Sequence, residues 1–90
     1  MKKTSRQLER IIKGFANHRR LQVLELLYKE PELSVQEISD KLKSAFKNIS
    51  AHITKMAVAG LLMKRSDSKS IRHKLTKRGN IILKFVRMLE

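Results

Sequence analysis

The apolar positions along the chain fall into five stretches of helical period and one stretch that alternates. Leu8, Ile11 and Ile12 share one side of a helix over about Ser5 to Gly14. A second helix, about His18 to Lys29, has Asn17 as its N-cap. Its Leu21, Val23, Leu24, Leu26, Leu27 and Tyr28 cover most of the circumference, which predicts the central buried helix. Pro31 lies in the loop that follows. Ser34 and Glu37 then form a capping box, with Leu33 and Ile38 at the positions of a hydrophobic staple. Val35, Ile38 and Leu42 give this third helix a narrow stripe. After a break at Lys43-Ser44-Ala45, a fourth helix runs to about Ala59, where Gly60 stops it.

Beyond Gly60 the period changes. Ile71, His73 and Leu75 alternate with Arg72 and Lys74, and a turn-rich Ser66-Asp67-Ser68-Lys69-Ser70 separates them from Leu61 to Arg65. Thr76 caps a last helix through Leu89. This is a mainly α chain with one small β-hairpin, a winged helix-turn-helix of about five helices and a two-stranded wing. We expect one domain over 1–90, with the helix-turn-helix at about 34–59, the wing at about 61–75 and the C-terminal helix at about 77–89.

Charge turns this architecture into a functional expectation. The formal net charge is +13. Residues 1–40 hold eight Lys/Arg against six Asp/Glu, whereas residues 41–90 hold thirteen against two. A field that lopsided attracts a polyanion by releasing its counterions, while solubility alone requires charge but not segregated charge. The fourth helix carries no acid from Ala45 through Ala59. At 100° per residue Ile49, Ile53 and Met56 cluster inward with Ala57 beside them, and Phe46 leans toward the same side. Lys47, Ala51, Thr54 and Val58 lie opposite, flanked by Ser50 and Lys55. That outer face is small and polar near its start, as a groove-entering recognition helix requires. The candidate reading residues are Lys47, Asn48, Ser50, Ala51, Thr54 and Lys55. Lys64, Arg65, Lys69, Arg72 and Lys74 are candidate phosphate contacts on a flexible wing.

Two stretches sharpen the expectation by resemblance. Phe15 through Leu27, with Ala16-Asn17-His18-Arg19-Arg20-Leu21 at its centre, resembles a segment shared by ArsR-family winged-helix repressors. Leu33-Ser34-Val35-Gln36-Glu37-Ile38 and Ile49-Ser50-Ala51-His52-Ile53 through Ala59-Gly60-Leu61-Leu62 are similar to that family's third helix and recognition helix. Leu75-Thr76-Lys77-Arg78-Gly79 equally resembles the wing exit of MarR-type winged helices, although this chain is too short for their long dimerisation helices. The resemblance implies a DNA-binding transcriptional regulator, a repressor acting as a homodimer, with Lys47 and Ser50 as recognition contacts. Phe46 stands where the ArsR pattern has a polar glutamine, and Ala51 where it often has arginine. Both departures shift the expected binding toward phosphates and DNA shape, with Ala51 reaching only a thymine methyl.

On the last helix Ile82, Val86 and Leu89 form one stripe and Ile81, Phe85 and Met88 another. One closes the core, and the other is the expected dimer interface. With no cysteine, no clustered histidines and three glycines, the chain offers no thiolate metal site, catalytic motif or phosphate-cradling loop. No metal, cofactor or enzymatic activity is expected. No apolar run reaches bilayer length, so a cytoplasmic protein without a membrane partner is expected. Two other functions fit the same residues. One is a non-sequence-specific nucleic-acid binder, architectural or RNA-directed; the other is a winged-helix module that docks an acidic protein.

Overall fold

A computed structural model describes residues 2–90. The elements are α1 (Ser5–Lys13), α2 (His18–Lys29), α3 (Val35–Leu42), α4 (Phe46–Val58), β1 (Leu62–Ser66), β2 (Ile71–Leu75) and α5 (Lys77–Arg87). Each predicted element is present, with boundaries moved by a residue or two.

Local chemistry sets most of the ends. Asn17 accepts from the Arg19 and Arg20 amides, and Thr76 accepts from Gly79 N. Ser34 and Glu37 close the reciprocal box at the start of α3, and Thr4 with Gln7 builds a second such box on α1. Gly60, at φ +79°, takes the left-handed turn that lets the chain leave α4 for the wing. Lys43 makes the corresponding turn after α3 at φ 53°, a conformation that side chains with a Cβ rarely adopt.

The core gathers one face from each of α2 to α5. Val23, Leu24 and Leu27 of α2 meet Ile38 of α3 and Ile49, Ile53 and Met56 of α4, all buried. Leu61, Leu62 and Leu75 close the layer beneath the hairpin, whose strands pair antiparallel with Leu62 opposite Leu75 and Lys64 opposite His73. The wing is also stitched to the loop before α3. His73 N donates to Leu33 O at 2.9 Å, and Glu32 N donates to His73 O at 2.8 Å. The His73 ring faces inward as its alternation predicts, with Nδ1 at 3.0 Å from Leu33 O.

Three expectations about apolar side chains need correction. Tyr28 is exposed, because it lies past the buried stripe of α2; its ring packs under the Arg87 guanidinium at 4.5 Å. On α5 the residue that enters the core is Leu83, which belongs to neither stripe read from the sequence. Gly79, one turn earlier, lets α5 approach that closely, since a Cβ there would sit 2.3 Å from Leu61 O. Ile82 and Val86 flank Leu83 half-buried, and Leu89 is exposed because the helix has already ended at Arg87. The other stripe stays open: Ile81 is 56%, Phe85 49% and Met88 77% exposed.

Candidate nucleic-acid interface

Helix α4 is held from behind by Ile49, Ile53 and Met56 and is bare in front. Lys47, Asn48, Ala51, Thr54 and Lys55 are all exposed, and Ser50 is half-buried at the edge of the face. The Thr54 hydroxyl donates to Ser50 O at 3.0 Å, which orients its lone pairs outward from the backbone. No acid lies in the first turn, and Ala45 offers no side-chain cap. The first N–H groups of α4 therefore have no side-chain cap, whereas at α3 Ser34 accepts from Glu37 N. Phe46 shares the side of Ile49 and Ile53 but is not buried with them. The packed face begins one turn later at Ile49, so the ring at the helix end is half exposed.

The structure joins to this face a group of residues that the sequence reading passed over. His18, Arg19 and Arg20 at the head of α2 line an open basin with Asn48, His52 and Lys55 of α4. Arg20 is clamped in it: Nε donates to His52 Nδ1 at 3.1 Å and Nη1 to Lys13 O at 2.7 Å. Partial burial, then the charges of Arg20, Lys55, Arg19 and His18, hold the His52 pKa below its usual value. His52 is thus kept neutral as an acceptor for Arg20. A wider groove of about 770 Å³ continues between α1 and the carboxyl half of α4. Ile11, Val58 and Ala59 are among its apolar lining residues, Arg10, Lys13, Lys55 and Arg78 among its cationic ones, and no acid lines it. One sequence signal pointed here: two arginines in the first turn of α2 oppose the helix dipole and become favourable beside an external anion.

The wing divides its cations into two kinds. Lys64, Lys69 and Lys74 are exposed and have no carboxylate partner among the described residues. Arg65 and Arg72, also candidate phosphate contacts, are engaged with acceptors within the protomer. Arg65 Nε pairs with Glu32 Oε1. Arg72 Nε binds Asp67 Oδ2 at 2.8 Å, while its Nη1 reaches Glu32 O at 2.9 Å and Glu37 Oε1 at 3.5 Å. The Arg72 bond, then the Lys69 and Ser70 amides, hold the Asp67 carboxyl far below the ordinary range. The hairpin tip, expected to be flexible, is an Asp67-centred turn. No group of three potential ligands for a metal occurs among the described residues, and no helix there is long and apolar enough to cross a membrane.

Known proteins share this fold. The model of the MarR family matches residues 16–74. The transcriptional activator HlyU of Vibrio cholerae serotype O1 is 33% identical over 76 residues, which are 84% of this chain and 69% of that protein. The solved HlyU structure from Vibrio cholerae N16961 superposes with a TM-score of 0.82 at 29% identity, covering 99% of this chain and 97% of that one. The homodimeric winged helix-turn-helix DNA-binding domain of Mb0332 from Mycobacterium bovis, a possible ArsR-family regulator, superposes at 0.83 with 23% identity. It covers 98% of this chain and 87% of that one, and shows a likeness of fold. A matching family model over most of the chain, on a fold shared with these regulators, makes this protein a winged helix-turn-helix transcription regulator that belongs to the MarR family.

Proposed function

We propose that the chain binds duplex DNA sequence-specifically as a homodimer and represses by occupying its operator. The observation that carries this reading is the front of α4: exposed, acid-free, uncapped at its amino end and flanked by the unpaired wing lysines. Lys47, Asn48, Ser50, Ala51, Thr54 and Lys55 meet base edges in the major groove. Lys64, Lys69 and Lys74 follow the phosphates, joined by Arg19 and Arg20 at the α2 end. Arg65 and Arg72 support this work by holding the wing in place. The protein acts without catalysis, in the cytoplasm beside the chromosome.

The homodimer rests on the open stripe of Ile81, Phe85 and Met88, three large apolar side chains on one side of a surface helix. Mb0332, whose fold this chain shares, is described as homodimeric. Two copies present two recognition helices to half-sites about one helical turn apart, roughly 34–36 Å. Replacing the three side chains by Glu should shift the sedimenting mass to a monomer and weaken operator binding by about 100-fold or more, with helicity retained. A wild-type protein that sediments as a monomer at high concentration contradicts this assignment.

Selection of bound sequences from a random duplex pool, followed by competition between selected and random DNA, tests the function itself. Enrichment of a two-fold symmetric site is the expected result. Equal competition by random duplex favours an architectural binder, and no retardation at low salt favours a protein-docking module. Transcription from a promoter overlapping the selected site then reads the sign, with repression expected.

A further inference from the structure

We propose that Phe46 is a specificity-determining residue that selects a thymine in each half-site through its 5-methyl group, an inference that rests on the operator-reading function above. Phe46 is the first residue of α4 and is 50% exposed. It belongs neither to the buried cluster nor to the half-buried side chains packed on it. Half of its surface stays open to solvent at the end of the helix. Its neighbours Ala45, Lys47 and Asn48 are likewise exposed, so the ring stands at the free end of the helix among groups poised for an anion.

The chemistry of the groove limits what such a ring can meet. In the major groove the base pairs present hydrogen-bond donors and acceptors and one apolar group, the thymine methyl. A phenyl ring against guanine N7 and O6, or against the cytosine amine, strips water from a polar group and returns no hydrogen bond. Against thymine the same ring covers a methyl and removes apolar surface from water on both sides. Phe46 therefore discriminates in two ways, by favourable contact with thymine and by penalty elsewhere. Ala51, exposed farther along α4, adds a second small apolar surface, while Lys47 and Asn48 supply the polar contacts between them.

The test replaces each thymine of the selected operator, one at a time, with deoxyuridine, which lacks only the 5-methyl. Wild-type protein should bind about three- to fivefold more weakly when one particular thymine of a half-site is changed, the loss expected for one methyl. Phe46→Ala should bind the thymine and uracil duplexes equally, Phe46→Leu should keep part of the ratio, and Lys47→Ala should keep all of it. Circular dichroism melts of the variants check that the helix end remains folded. Uracil tolerated at every position, or an unchanged ratio in Phe46→Ala, overturns the proposal and leaves the operator reading intact. A drop in the mass of free Phe46→Ala protein also overturns it, assigning the ring to a contact between copies. A pool that yields no preferred sequence removes the operator reading itself, and the role of Phe46 with it.

Discussion

The front of α4 with the wing lysines, and the seam where the wing meets the head of α3, are both basic, yet they handle charge in opposite ways. Lys47, Lys55, Lys64, Lys69 and Lys74 extend into solvent with no carboxylate at ion-pair distance among the described residues. On the side of the wing that meets the head of α3, Arg65 and Arg72 face Glu32, Glu37 and, in the hairpin turn, Asp67. Other arginines are held in the same way. Arg19 reaches Leu42 O, Arg20 reaches Lys13 O and His52, Arg78 reaches Ala59 O, and Arg87 binds Glu25 over the Tyr28 ring. Arginine is the suitable choice for such joints because its planar fork binds several acceptors in a fixed geometry. Lysine carries a mobile, hydrated point charge suited to phosphates that vary in position from site to site. Across α4 and the wing, the net charge of +13 is thus carried by arginines tied to protein acceptors and lysines that face outward. Elsewhere the types mix, with Lys13 and Lys41 paired to Glu9 and Glu30 and Arg6 and Arg10 exposed.

The largest effect that sharpens this contrast is on affinity. Replacing Lys64, Lys69 and Lys74 together by Ala should weaken operator and random duplex alike, by about tenfold or more at low salt, and reduce the salt slope by roughly three per protomer. Melting should stay within about 0.5 kcal/mol of wild type, as for other surface changes. Binding titrations across a salt series, beside urea unfolding, read both quantities.

Next in size come Lys47→Ala and Ser50→Ala, each expected to relax discrimination at its own base pair by about 1–3 kcal/mol. Parallel losses on operator and random DNA would show that this part of α4 only touches phosphate. Arg72→Ala should do the reverse of the lysine triple. It leaves Asp67 and Glu37 without their cation and Glu32 O without a donor, and should lower the urea midpoint while the salt slope remains near wild type. A stable Arg72→Ala protein with a lowered slope would merge the two populations and break the contrast.

The smallest effect is on pH. Burial holds the His73 pKa below its usual 6.5, and partial burial with the surrounding cations does the same for His52. Unfolding frees both rings to bind protons at their ordinary pKa, so the unfolded chain takes up more protons as the solution is acidified. Stability from this source is complete above pH 6.5 and declines as pH falls below it. Urea midpoints measured between pH 7.5 and 5 should decrease, and His73→Asn should decrease less steeply. The depressed carboxyls of Asp67, Glu32 and Glu37 extend the loss to more acid solution.

Order along the chain, most helix boundaries and the identity of the front of α4 are written in local signals. Capping at Asn17, Ser34 and Thr76 needs only residues three apart, and the inward Ile49, Ile53 and Met56 follow from helical period alone. Alternation placed His73 in the core in the same way. What periodicity could not supply was the position of each stripe relative to a neighbour. Leu83 enters the core instead of the flanking stripes because Gly79 admits the backbone of Leu61, a contact between residues 18 apart in sequence. Phe46 is exposed because the core stops one turn short of it, and Arg72 is tied down because β2 passes beside Glu32 and the head of α3. The basin of Arg19, Arg20 and His52 exists only where α2 crosses α4. The sequence by itself determined which residues form helices and which side of each is apolar, since both depend on neighbours within one or two turns. Beyond local pairs such as Lys13–Glu9 and Arg72–Asp67, the tertiary structure decides which cations are bound, because Arg65 and Arg87 pair with carboxylates 33 and 62 residues away.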